Sequence, residues 1–495
     1  MARAVLWWER TAPLASLLLF MPAPKAKMTR LLCAAPALLL AASAVAQEAP
    51  PAAGSPAPDP VLAELIRESL AHRPELRQAG ALVQAERERV PQAGALQDPM
   101  LSLGIQNDGF AGIQVGKMET SFYQVMITQP LPWPGKLGLR SDVAAAGVRL
   151  AEASLARARL TAEADVRRAH LDLLLVRDRL ALQARLEALW SRAEGLSRIR
   201  YESAEGPQSD ILRAQLERNR LRQRRWALEA DERTRRQALN RLRHHPVDEP
   251  LPTTASVRGL GLPLVPGAGA ALADAERRSP ELLLARLQAA RATSQVALAR
   301  RDRYPDLAVT AAIMPRGELA PMWSAGVSVT LPIFSGAKQS RAVAESEARA
   351  AASDIGAEAV LQLLGLRVQE RQVLLASLVE SAGLYRDGLL IQSQATVDST
   401  MSQYRVGRVA FASVLEAVGG VIADEEGFLQ AVAAAWRVDI ASDEVSLEAA
   451  GGASGAMASG SVPGAGAAGG GSMSSGGAAA ATGGGDAASS STSKM

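Results

Sequence analysis

Ser324-Ala325-Gly326-Val327-Ser328-Val329-Thr330-Leu331 alternates small or polar residues with apolar ones, and the proline that ends it, Pro332, is followed by no other until Pro463. Period two marks a strand with one wet face and one apolar face. The long proline-free run behind it leaves room for a helix from about Lys338 to Tyr404 and a returning helix from about Phe411 to Leu447. Three other runs share the strand period: Leu101, Leu103 and Ile105; Tyr123, Val125 and Ile127; and Leu307, Val309, Ala311 and Ile313. Each is about the length of a tilted membrane strand, ~9–11 residues.

Working outward, the same punctuation occurs twice. Arg73-Pro74-Glu75-Leu76 returns as Ser279-Pro280-Glu281-Leu282, and Asp98-Pro99-Met100-Leu101 returns at the same offset as Tyr304-Pro305-Asp306-Leu307. Leu131-Pro132 matches Leu331-Pro332, Gly135 and Arg140 match Gly336 and Arg341, and Tyr201 with Leu212 matches Tyr404 with Leu415. Offsets that drift slightly are what loop insertions produce, so the chain is an internal duplication. Each copy reads as a helix, two strands and a very long helical hairpin. In the first copy the helix runs from Leu139 to Glu202, with no proline between Pro134 and Pro207. Helices of such length need a coiled-coil-like partner, and a short turn makes that partner the next helix.

The divisions follow from these markers. Residues 1–46 read as a secretory signal, with Arg30 before the apolar run Leu31 to Val45 and a small-residue cleavage site at Ala44-Val45-Ala46; Met28 would start a signal of ordinary length. Residues 47–60 are a Pro/Ala-rich linker, 61–245 the first repeat, 246–270 a connector, 271–449 the second repeat, and 450–495 a Gly/Ala/Ser tail expected to be disordered. The 54 Lys and Arg nearly balance the 51 Asp and Glu, which excludes a polyanion binder defined by bulk charge. Cys33 is the only cysteine, so disulfide frameworks, zinc ribbons and thiol catalysis are excluded. Past the signal, no stretch is apolar enough for a membrane-crossing helix.

The fold class expected is therefore mainly α with a small β part. Four strands cannot close a barrel with a lumen, since about eight are needed, whereas three subunits would supply twelve. Leu101, Leu103, Ile105, Val309, Val327 and Val329 would then face lipid. On pattern alone, a soluble four-stranded sheet packed on the helices remains open, as does a soluble periplasmic coiled-coil scaffold or adaptor.

The duplicated order, together with Gln129-Pro130-Leu131-Pro132, Leu331-Pro332-Ile333-Phe334-Ser335-Gly336, and Tyr404-Arg405-Val406-Gly407 followed by Val414-Leu415-Glu416-Ala417, resembles the TolC-like outer-membrane efflux factors over about residues 61–448. The resemblance implies tandem helical hairpins forming an α-barrel, and a homotrimer sharing one 12-stranded barrel in the outer membrane. It also implies a passive conduit with no enzymatic step and no cofactor. Energy would come from an inner-membrane pump joined through a periplasmic adaptor, or membrane fusion, protein. Copy one departs from the pattern at its turn, where Ala204 replaces the expected glycine and Gly206-Pro207 follows. Trp133-Pro134-Gly135-Lys136 is similar to a segment of the heavy-metal branch, which suggests metal efflux.

The hairpin turns would form the periplasmic entrance. By the family's spacing Glu416 stands where a ring acid is found, Ser413 where another acid often stands, and Asp210 is the nearest acid in copy one. Three copies of one carboxylate around a narrow lumen hold cations. Tyr404 with Arg405, and Tyr201 with Glu202, are candidate contacts that hold the entrance shut. The plainer alternative is that Glu416 and Asp210 are solvated residues on coiled-coil faces. The arginine-dense run Arg213 to Arg243 reads as a solvated helix face rather than a nucleic-acid site, because acids interrupt it. His244-His245 suits a helix C-terminus, and Met314 and Met322 flank the outer hairpin as packing residues or soft-metal contacts. No catalytic or metal-ligating constellation is expected.

Overall fold

The computed structural model describes residues 60–449 except 111 and 254. The expected signal, almost all of the linker, and the tail lie outside the described residues. Helices α1 (Pro60–His72) and α2 (Pro74–Gly94) lead into strands β1 (Met100–Gln106) and β2 (Phe122–Leu131), then α3 (Lys136–Glu202) and α4 (Gln208–Arg243). The second half repeats the order with α5 (Ala268–Arg278), α6 (Pro280–Arg301), β3 (Asp306–Arg316), β4 (Leu319–Thr330), α7 (Gln339–Leu384), α8 (Leu390–Arg405) and α9 (Phe411–Asp443).

The single leading helix expected in each copy is in fact two. Proline disfavours the helical conformation in the residue before it, and Arg73 and Ser279 are accordingly extended, with ψ of 123° and 114°. The duplicated Pro74 and Pro280 thus end one helix and start the next, a position where proline costs no hydrogen bond. The long helix of copy two differs too: a π turn at Tyr385–Leu389 separates α7 from α8. Across from it, a Cβ on Gly427 of α9 would lie 2.6 Å from the Tyr385 hydroxyl and 2.7 Å from Cζ. Only a glycine lets that ring lie against the α9 backbone. The final helix ends at Asp443, short of the expected Leu447, where Val445 turns to a positive φ of 53°.

The 67 residues of α3 reach about 100 Å at 1.5 Å per residue, so α3 serves two tiers. Near the sheet it packs between α2 and α6, with α7 beyond α6; towards the hairpin tips it packs between α4 and α9, with α8 beyond α9. The middle is strapped by the connector and the end of the second repeat. Arg177 of α3 binds Glu232, Thr253 and the Leu251 carbonyl, and Trp436 donates to the Gly261 carbonyl. Buried Glu444 pairs with Arg157 and Arg168. The arginine run of α4 is tied to acids on its own and the neighbouring helix, including Arg235 with Asp231 and Asp172 and Arg236 with Glu232. That is the solvated helix face its spacing implied.

The four strands form one antiparallel sheet in the order β1-β2-β3-β4. Directly opposed residues share a face, and the register places Leu103 against Val125, Ile127 against Ala311, Val309 against Val327, and Ile313 against Trp323. One face is therefore mostly apolar, with Gln129 opposite Val309 as its polar exception. The other carries Ser102, Gly104, Gln124, Thr128, Thr310, Gly326 and Ser328, with Met126 and Ala312 among them. No described helix packs across the apolar face: Leu103 is 73% and Val327 68% exposed. The alternative of a sheet packed on its own helices is thus not what forms.

If the glycine is what admits the π turn, Gly427→Ala lowers stability by roughly 1–3 kcal/mol through overpacking, and Tyr385→Leu in the same chain restores most of it. Thermal unfolding of the two single variants and the double variant checks this; purely additive losses would contradict it.

Candidate functional site

Two hairpin turns, α3 to α4 and α8 to α9, end in one shared core. Trp190, Ala193, Ala214, Tyr404, Phe411, Val414 and Val418 pack there as a single buried cluster. Its centre is Tyr404, 1% exposed although it carries a hydroxyl. A buried phenol needs a partner, and this one donates to Asp210 Oδ2 at 3.0 Å while lying 3.1 Å from Ser197 Oγ. Phe411 meets the ring edge-on at 5.4 Å, and the Arg200 guanidinium sits 4.7 Å over its face. Arg200 also donates to the carbonyls of Tyr404 (3.1 Å) and Glu205 (2.9 Å), which joins both turns through one side chain. Burial is the largest influence on the Tyr404 phenol and pushes its pKa up, so it stays a neutral donor to the carboxylate.

The turns use matched geometry. Gly407 has φ of 75° and Ala204 has φ of 59°, so the alanine that replaces the expected glycine occupies the same left-handed conformation, at some strain. Behind the first turn, buried Glu194 of α3 accepts from Arg218 and Gln215 of α4. The Arg218 hydrogen bond is the main reason its pKa is lowered.

Of the residues expected at the entrance, Tyr404 and Asp210 are brought together and buried, Asp210 being 7% exposed. Tyr201, the repeat mate of Tyr404, is 47% exposed. The difference has a local cause: the residue matching Phe411 in copy one is Gln208, which offers no ring to pack on. Glu202, Arg405 and Glu416 are exposed, and their side chains have no ion-pair partner among the described residues. Ser413 is half-buried in the first turn of α9. Ser197, Arg200 and Phe411 were not singled out by sequence; only the Phe411/Gln208 mismatch between copies marked any of them.

At the opposite end, Leu101, Leu103, Ile105, Val309, Val327 and Val329 all lie on the apolar sheet face. Met314 and Met322 are opposed across β3 and β4, and His245 pairs with Glu249 at 3.0 Å beside the α4 end. No cluster of three or more metal-ligating side chains occurs among the described residues. No described helix is long and apolar enough to cross a membrane.

Comparison with known proteins follows the same lines. A family described as outer membrane efflux protein matches residues 65–244 and 271–434, one segment in each repeat. No curated protein sequence matches the chain. Among solved structures, CusC is similar at 17% identity with a TM-score of 0.67, over 80% of this chain and 96% of that one. VceC of Vibrio cholerae gives 18% and 0.62 over 77% and 95%. The open-state MtrE channel of Neisseria gonorrhoeae gives 18% and 0.65 over 79% and 90%. At such identities these likenesses speak for the fold.

Tyr404→Phe removes the donor to a buried carboxylate, a loss of about 1–3 kcal/mol at the tip. Amide exchange in residues 195–215 and 398–415 is expected to quicken, while exchange at the sheet end stays as it was; unchanged protection at the tip would contradict the role given to the hydroxyl.

Proposed function

The chain belongs to the outer membrane efflux protein family and is an efflux channel component of the outer membrane; on that premise we propose that three copies build one passive conduit from the periplasm to the exterior. The observation that carries the reading is the sheet. Its edge strands β1 and β4 have no partner on their outer sides among the described residues, and one of its two faces is apolar but for Gln129. In a bilayer every backbone N–H and C=O must be paired within protein, so an open four-stranded sheet cannot span one. Pairing β4 of one copy with β1 of the next satisfies both edges, and three copies give twelve strands and an open lumen. The apolar face then meets lipid, and the serine, threonine and glycine face lines the water.

The same closure brings the outermost helices of neighbouring copies together. Exposed Leu212, Leu216 and Trp226 on α4, and Val373, Leu384 and Ile391 along α7 and α8, supply apolar contacts for that seam. The helical tier forms the periplasmic tunnel, and the strapped middle forms its belt. No step of the transport needs chemistry by this chain; an inner-membrane pump supplies the energy through a periplasmic adaptor, which docks at the hairpin tips. The cargo is small molecules or metal ions.

At the tips, the Tyr404–Asp210 bond and the Arg200 clamp hold two hairpins of one chain together, and widening the entrance has to break them. Glu416, exposed and uncompensated, is the acid assigned to a lumen ring, with Ser413 one turn before it. Arg405, Tyr201 and Glu202 are left at the surface to contact a neighbouring copy or the adaptor.

Val327→Lys puts a charge on the lipid face at a cost of roughly 2–4 kcal/mol. Membrane-extracted oligomer is expected to fall sharply, whereas Ser328→Lys on the opposite face assembles; equal yields would reverse the face assignment. Glu416→Ala is expected to lower cation preference in reversal-potential measurements, and an unchanged potential would take Glu416 out of the pore.

A further inference from the structure

Where the sheet meets the helices, a cleft of about 840 Å³ opens between the start of α3, the end of α6 and the start of α7. Arg300, Arg301, Arg303 and Tyr304 form one side of it. The corner is built rather than loose. Tyr304 stacks on Trp133 with centroids 5.6 Å apart and planes at 14°, and Arg301 lies 4.9 Å over the Tyr304 ring while donating to the Pro134 carbonyl at 2.7 Å. Beneath, buried Lys136 donates to the Tyr304 carbonyl and pairs with Asp306, both at 2.9 Å. Of the three arginines, Arg300 is balanced by Glu347 at 2.7 Å. Arg303 is exposed and its guanidinium has no partner among the described residues.

Position gives this cluster its meaning. Trp133 lies two residues past Leu131, where β2 and its apolar side end. Arg303 precedes Leu307, the last apolar residue of that face on β3, by four residues, at most about 13 Å of extended chain. The headgroup layer outside the hydrocarbon begins within that reach, roughly 5–8 Å thick on each side. Arginines with interleaved tryptophan and tyrosine at that depth match what anionic headgroups attract. Leu139, Ala297, Val343 and Ala344 give the cleft an apolar strip beside Ser340 and the Arg300-paired Glu347, which suits a lipid better than a free anion.

We propose that this cleft holds the phosphodiester headgroup of a phospholipid from the periplasmic leaflet, bound by Arg303 and Arg300, with its acyl chains running up the apolar face past Leu131 and Leu307. The assignment rests on the reading of the sheet as a lipid-facing wall. A trimer would carry three such sites, fixing the depth at which the barrel sits and leaving the lumen free.

The test uses the full chain purified as its oligomer in detergent, delipidated, and titrated with phosphatidylglycerol under native mass spectrometry, with conductance measured on the same samples. Arg303→Gln touches no intrachain partner and is expected to weaken phosphatidylglycerol binding about fivefold, and the double variant R300Q/R303Q by tenfold or more, at about one charge's worth of lipid attraction each. Arg349→Gln, further down α7 and paired with Glu345, is the control that binds like the unaltered chain. Inorganic phosphate is expected not to displace the lipid. Lipid binding by the double variant equal to that of the unaltered chain, or displacement by inorganic phosphate alone, overturns the proposal. Channels that conduct but bind lipid without regard to Arg300 and Arg303 sink the cleft assignment only; an unaltered chain that forms no channels sinks the conduit reading with it.

Discussion

Two rows of backbone groups without partners, along the outer edges of β1 and β4, constrain everything else in this protein. A sheet with one apolar face is unstable as an open ribbon, both because its edges invite pairing and because its face cannot be left in water. Among the described residues neither is covered: the helices pack on one another and leave the sheet bare. Under the proposed closure, copies of the same chain complete it. In the proposed trimer, two strand pairs and two hairpins per chain would let three chains stand as six similar units around one axis.

The two repeats are not equivalent where it matters. Tyr404 is sunk between hairpins because Phe411 packs on it and Asp210 accepts its hydroxyl, whereas Tyr201 stands in solvent beside Gln208. One tip contact is therefore locked within the chain, and the corresponding surface of the other hairpin is exposed. A buried carboxylate–phenol bond flanked by a guanidinium is stable while dry and costly to break singly.

Much of this was legible in the sequence. Alternation over Leu101–Ile105 and Ser324–Leu331 told strand from helix and fixed which side chains share a face, since period two admits only one sorting. The proline-free runs marked the long hairpins, and the matched prolines marked the repeats, although their further effect, splitting each leading helix, was not drawn from them. Other features depend on distant parts of the chain meeting. The π turn at Tyr385 requires Gly427 on another helix, and Asp210, legible as an entrance acid, shows its bond to Tyr404 only once the two hairpins meet. Arg200 sat in a helix rich in arginine, with nothing local to distinguish it.

The central claim, that closure of the sheet by identical copies makes a pore, is tested most directly by planar-bilayer conductance of the detergent-extracted protein with oligomer mass determined on the same sample. The account predicts discrete, stable channels from an assembly of three chains. A water-soluble monomer or dimer that opens no channels would contradict it.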